Sequence, residues 1–431
     1  MVKQTNGGSV PLGAEAGPVT GGTGTSPVPE ASGASFAKVL SNVGFLFLWF
    51  GQLNSQLADR VFVYVLMIIA YGLTKTNLGV AVPLLAFGVP SLLFGPIAGV
   101  FVDKWDRKGI LTITSIIRGV LILLIVPLIE QSMVLIFLVS FLIYTAMQFF
   151  APAETSSIPE LVKKQDLIVA NSLFMMTWMG SSVIGFGLGA PLVNLFGNRG
   201  TFVVAAVLYF IAAGAVSLVP LKPLEKKEAS REGPIWKDLL FGLEFIRRNR
   251  IVGYSLLKLF VATSAIAIVS LLAISYAKNI LGIGAKNFGY LIIAAGAGMF
   301  IGMGLLDRLH RYLTKGTMVI ISFIVSGLVL IFIGKVSDIK TALLLIFILG
   351  IGNIFITSSI QTILQQRIPR RIRGRVFGMQ NMLINSAFVF PVIVAGLVAD
   401  IYGVSMALEA IGWIVILTGL AGIFLPKFRT A

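Results

Sequence analysis

Five polar residues, Gln52, Ser55, Gln56, Asp59 and Arg60, interrupt an apolar run that extends from about Val43 to Leu73. On a helix turning about 100° per residue, with Gln52 at zero, Ser55 falls at about 300°, Gln56 at about 40°, Asp59 at about 340° and Arg60 at about 80°. All five therefore share one face, from which Asn54 lies apart, and that face must look into a helical bundle or into water. A carboxyl group at hydrocarbon depth costs several kcal/mol unless it is paired, hydrated or protonated. Asp59 then has two uses. It can carry protons or recognise a charged substrate group in a cavity, or it can lock the helix through a salt bridge to Arg60 or to a cation on a distant span such as Lys258. Lys258, about two turns into its own apolar run, is expected either to line the same cavity or to snorkel to the headgroups. Arg118 is expected to snorkel or to support packing, Glu154 to belong to a helix end beside Pro152, and Glu409 to lie near a membrane interface.

The element that positions these residues is a membrane-spanning helix, and it is one of many. Of 431 residues, 57% are hydrophobic and 12% charged, with a mean hydropathy of +0.94, well outside the soluble range. Apolar stretches at 43–72, 78–102, 110–129, 132–152, 167–196, 201–220, 251–277, 288–306, 316–334, 341–363, 376–402 and 406–425 are each expected to cross the bilayer as a helix. Gly-rich segments such as GAGMFIGMG (296–304) favour closely packed helices over barrel strands. The predicted fold class is an all-α polytopic membrane protein.

Residues 1–40, rich in Gly, Ser, Thr and Pro, are expected to form a disordered tail. The long charged segment 221–250 divides the spans into two six-helix bundles, 41–220 and 251–426, and leaves 427–431 as a second tail. Within that linker Ile235, Leu239, Leu240, Leu243 and Ile246 recur at helical spacing, which predicts an amphipathic helix on the inner membrane surface. The halves look like parallel repeats displaced by about 206 residues: LVNLFG, ending at Gly197, falls on LVADIYG, ending at Gly403.

The formal charge of +16 has a topological pattern. Of 34 Lys and Arg residues, only Lys75, Arg199, Lys278, Lys286, Lys335 and Lys340 fall in the outer loops of a chain whose amino terminus is inside. The positive-inside bias therefore places both termini and the linker in the cytoplasm of a cell-membrane protein, and no nucleic-acid partner is expected. The absence of cysteine excludes disulfides and thiol chemistry, and no cofactor or metal is expected.

After the second span comes GVFVDKWDRKGIL, 99–111. Gly99, Asp103, Lys104, Arg107 and Lys108 stand in it as in the loop motif of the major facilitator superfamily, G-x-x-x-D-[RK]-x-[GD]-R-[KR], which this segment resembles. A carboxylate at the membrane edge suits a helix amino terminus or a cation. The resemblance implies that Asp103 holds the start of span 11 in the outward-facing state, where RIPRRIRGRVFG (367–378) offers Arg373 and Arg375; the same cations also read as a purely topogenic cluster. The segments FLWFGQLNSQLADRVFVYVLMIIAYGLT, FFAPAETSSIPELVKKQDLIVANSL and GLEFIRRNR look like the macrolide-efflux branch of twelve-span drug:proton antiporters, which also holds siderophore exporters. Span 5, MGSSVIGFGLGAPLV, keeps a small-residue packing face in Gly185, Gly187 and Gly189, followed by Pro191, but carries Phe186 where the antiporter pattern Gly-Pro-x-x-Gly-Gly has proline.

The expected function is that of a monomeric secondary transporter working by alternating access, with proton-coupled efflux of a hydrophobic or amphipathic small molecule as the leading reading. A lysophospholipid or siderophore is the alternative substrate. The resemblance implies protons and the lipid bilayer as its other partners. No Walker A sequence supplies an internal ATP motor. A polytopic membrane enzyme would need clustered acids or histidines at one membrane face, and the chain has one histidine. A non-transporting sensor that kept the fold is the remaining class, since fold alone does not fix function.

Overall fold

In hydrocarbon an apolar run of this length satisfies its backbone only as a helix. The computed structural model of the protein describes residues 36–102, 105–128, 131–221, 244–369, 372–423 and 428. The first half contributes α1 (Val43–Thr74), α2 (Asn77–Val102), α3 (Arg107–Ile125), α4 (Met133–Leu161), α5 (167–196) and α6 (198–217). The second contributes α7 (Arg250–Ser275), α8 (Gly289–His310), α9 (Lys315–Ile333), α10 (Ile339–Arg367), α11 in two pieces (Arg373–Ser386 and Phe390–Tyr402) and α12 (Val404–Leu420). Among the described residues ten helical stretches are long and apolar enough to cross a membrane. One of them, Val169–Ser217, is two spans joined at Gly197, and Val404–Leu420 is a shorter apolar helix, which brings the spans to twelve.

The repeat has a backbone signature. Gly197, between α5 and α6, has φ 68°, and Gly403, between α11 and α12, has φ 91°. Both corresponding turns thus use a conformation that costs other residues energy. The break within α11 follows from Pro391, which has no N–H to return to the preceding turn.

Three boundaries differ from those expected from sequence. Residues 36–40, assigned above to a disordered tail, form a short helix because Val39 is buried in a cluster with Phe45 and Leu48, and Lys38 reaches Asp166 at 3.4 Å. Helix α4 continues through Pro152 to Leu161; the hydroxyls of Thr155 and Ser157 donate to the carbonyls of Ala151 and Ala153. Phe428, in the second tail, is buried against Tyr254. Residues 1–35, and the linker from 222 to 243 with most of its expected amphipathic helix, lie outside the described residues.

The two halves meet along two seams, α2 with α11 and α5 with α8. On the first, Gly88 lies against Val389 and the Asn385 carbonyl, and Phe87 meets Phe388 edge-on at 5.4 Å. On the second, Gly289 lies against the Phe186 carbonyl, Gly187 against Ile293 and Gly296 against Val183. Small residues let these helices approach closely where lipid offers no hydrophobic drive for association.

Candidate functional site

Helix α1 carries the polar face, and the structure divides it. Asp59, 6% exposed, turns into the first half, where its carboxylate accepts a hydrogen bond from the Tyr209 hydroxyl of α6 and lies 3.7 Å from Nη1 of Arg118 on α3. Arg118 is fully buried. Its guanidinium sits 4.6 Å from the ring centroids of both Phe150 and Tyr209, while Nε donates to the Thr114 carbonyl at 3.2 Å. The rings supply the negative faces that a desolvated guanidinium favours. Glu154 of α4 is buried near this cluster and couples electrostatically to Arg118 and Asp59; its Oε1 has no hydrogen-bond partner among the described residues.

This arrangement corrects the expectations for Asp59, Arg118 and Glu154. The salt bridge of Asp59 is neither to Arg60 nor to Lys258 but to Arg118, which neither snorkels nor merely packs. The pair lies within the first half, with Asp59 packed against α3 and α6. Glu154 in turn belongs to the interior of a helix, not to its end.

Gln52 and Ser55 are buried at 4% and 2% exposure, and Gln56 and Arg60 are half-buried. Asn54 bonds back to the Phe50 carbonyl at 2.8 Å. Arg60 makes no salt bridge to Asp59 but stays coupled to it electrostatically, and it faces α5: its guanidinium lies 5.7 Å from the Trp178 ring, and its Cβ fits against Gly185. Oε1 of Gln52, Oε1 of Gln56 and Nε of Arg60, spaced one turn apart, are shielded from solvent without a hydrogen-bond partner among the described residues. Gly189 receives the Tyr64 ring, which stacks on Phe288 of the other half at 4.6 Å, while Pro191 is exposed within α5.

Lys258 is fully buried in the second half. Its ammonium donates to the Thr418 carbonyl at 2.6 Å and faces Phe323, Tyr254 and Phe428 at 4.5, 5.0 and 5.6 Å. It therefore neither lines a cavity between the halves nor snorkels. A buried ion with one carbonyl and three rings is a marginal contributor to stability, because its desolvation offsets its contacts. Lys258→Met is expected to leave the melting temperature unchanged or raised, measured by thermal unfolding in detergent. A marked fall would show that the cation itself holds α7 to α12.

Of the loop motif, Asp103 and Lys104 lie outside the described residues. Gly99 belongs to α2, and Arg373 and Arg375 to the first turn of α11. Arg107 pairs with Glu160 and donates to the Ser156 carbonyl at 3.1 Å, tying α3 to α4, and Lys108 is half-buried beside it. Sequence reasoning passed over Asp400 and Tyr209. Asp400 accepts from α2 across the α2–α11 seam.

Residues 48–392 match the family model of the Major Facilitator Superfamily. The chain belongs to this superfamily. It is a multi-pass membrane transporter of small molecules and not an enzyme. Among relatives within the superfamily, it is 24% identical over 385 residues to the MFS-type transporter YfiS of Bacillus subtilis, covering 88% of this chain and 92% of the relative. It is 22% identical over 373 residues to macrolide efflux protein A of Streptococcus pyogenes, covering 84% and 90%. A point variant of the nucleoside transporter NupG shares the fold with a TM-score of 0.74 at 14% identity, covering 89% of this chain and all of that one.

Proposed function

We propose that the protein exports hydrophobic or amphipathic small molecules by alternating access and exchanges them for protons carried by Asp59. The observation that carries this reading is the buried Asp59–Arg118 pair with Tyr209 and Glu154 around it. When Asp59 takes a proton, Arg118 loses its counter-charge in a site closed to water. Glu154 is then the remaining acid coupled to it, so protonation shifts the balance among α1, α3, α4 and α6. The likeness to a macrolide efflux protein supports outward movement of an amphipathic substrate. Gln52, Gln56 and Arg60 have shielded polar atoms to offer it, and Trp178 an exposed ring. Asp103 with Arg373 and Arg375 gates the cytoplasmic end, where both termini lie, and 221–250 tethers the two bundles of a monomer.

Proteoliposomes containing a pH-sensitive dye test the coupling. A panel of macrolides, lysophospholipids and siderophores is expected to include a compound that drives proton movement, and Asp59→Asn is expected to reduce that movement to background. Undiminished proton flux in Asp59→Asn would remove Asp59 from the coupling role.

A further inference from the structure

At the end of the molecule remote from Phe36, α2 starts without an acid of its own in the first turn. The first amides of a helix have no intrahelical acceptor and carry the positive end of its dipole. Here the acceptor comes from the other half. Asp400, near the end of α11, takes the Asn77 N–H at 2.6 Å and the Leu78 N–H at 2.9 Å, and its Oδ1 also takes the Asn77 side-chain amide at 2.8 Å. The Asn77 side chain is in turn fixed by the Ser275 hydroxyl of α7, which donates to it at 2.5 Å in a buried position. The backbones support this contact: Gly396, one turn before Asp400, lies against Leu78, where a Cβ would be 3.2 Å from the Leu78 Cα.

The structure assigns Asp400 the role of a latch: its carboxylate caps α2 of the first half from α11 of the second and holds the remote end of the transporter closed. The bond is all-or-none in geometry, since a carboxylate reaching two consecutive amides loses both when the helices part. Charge-assisted bonds of this kind are among the stronger ones a protein makes. The α5–α8 seam at the same end is joined differently. Beside it the Tyr64 hydroxyl of α1 donates to the carbonyl of Lys286, in the turn before α8, and the rings of Tyr64, Phe186 and Phe288 cluster. Asn194 occupies the place in the repeat that Asp400 holds in the second half, so the α2–α11 seam alone places an acid there. Asp400 is a positioning residue for the transport cycle. The role rests on the alternating-access reading and not on the substrate or coupling ion.

The chain has no cysteine, so paired spin labels can be placed without background. Leu195→Cys with Met406→Cys reports the remote end across the two halves, and Trp105→Cys with Tyr312→Cys reports the opposite end; all four side chains are exposed. Double electron–electron resonance in nanodiscs is expected to show that Asp400→Ala raises the ratio of long to short remote-end distances about tenfold, the net effect of losing the carboxylate's three bonds at an exposed position where water replaces much of them. The opposite end is expected to shorten in step, a response that mere local loosening would not give, and Asp400→Glu is expected to restore much of the original distribution. Should Asp400→Ala fail to fold, Asn77→Ala, which spares the backbone bonds, is expected to give the same shift at smaller amplitude. Unchanged distances in the folded variants would overturn the latch. If no ligand or variant moved either pair, the alternating-access reading itself would fail.

Discussion

Replacing Arg118 with alanine will sharply lower the melting temperature of the purified protein and the amount that reaches the membrane, and adding Asp59→Asn will recover part of the loss. Arg118 is fully buried between two aromatic rings and is the cation 3.7 Å from Asp59. Truncating it removes the ring contacts and leaves the carboxylate in a water-poor site with the Tyr209 hydroxyl as its remaining hydrogen-bond partner among the described residues. Breaking a buried pair from one side costs about 3–5 kcal/mol, because the surviving charge is uncompensated. Neutralising Asp59 removes that part of the penalty but not the lost packing. The double variant should therefore be more stable than the sum of the single effects, with a coupling energy above about 1 kcal/mol in a mutant cycle read by thermal unfolding. Strict additivity would show that the two groups do not interact and would remove the basis for routing protons through this cluster.

That partner was not legible in the sequence, and the reason is geometric. Spans, halves and the loop motif are properties of a single segment, so periodicity, length and charge report them directly. The pairing of Asp59 with Arg118 depends on the relative rotation of α1 and α3. Both helices are apolar over most of their circumference, and the 58 residues between Asp59 and Arg118, which include all of α2, leave that rotation free in the sequence. The face containing Asp59 was readable; which neighbour it meets was not. Lys258 shows the same limit, since the three rings around it come from α7, α9 and the second tail. Asp400 escaped notice for another reason. At the end of a span an acid reads as an ordinary boundary residue, and its significance comes from amides 322 and 323 residues away.

The segment GAGMFIGMG lies between these extremes. Its composition announces close helix packing, but only the structure distinguishes its glycines. Gly296 faces Val183 on α5, whereas Gly298 and Gly302 face α10, with Phe347, Gly350, Ile351 and Ile354 opposite. Gly304 has nothing within 4 Å.

Gly298→Leu is accordingly expected to prevent stable accumulation of the protein, while Gly304→Leu, less than two turns further along the same helix, is tolerated. A Cβ at Gly298 would land on the Phe347 carbonyl, and the contact is reciprocal, because a Cβ at Gly350 would land on the Ala295 carbonyl. The obstacles are backbone groups in the middle of two helices, so no rotamer change relieves them and α8 and α10 must separate. Separation would also withdraw α8 from the position that brings Gly289 and Phe288 to Phe186 and Tyr64, so the damage extends from the second half to the seam. Overpacking in a core that can adjust costs about 1–3 kcal/mol, and a backbone-to-backbone crossing should exceed that range. Fluorescence-detected size-exclusion chromatography of the two variants provides the comparison: a monodisperse peak for Gly304→Leu beside loss of the peak for Gly298→Leu is expected, and equal behaviour of the two would refute the assigned crossing of α8 and α10.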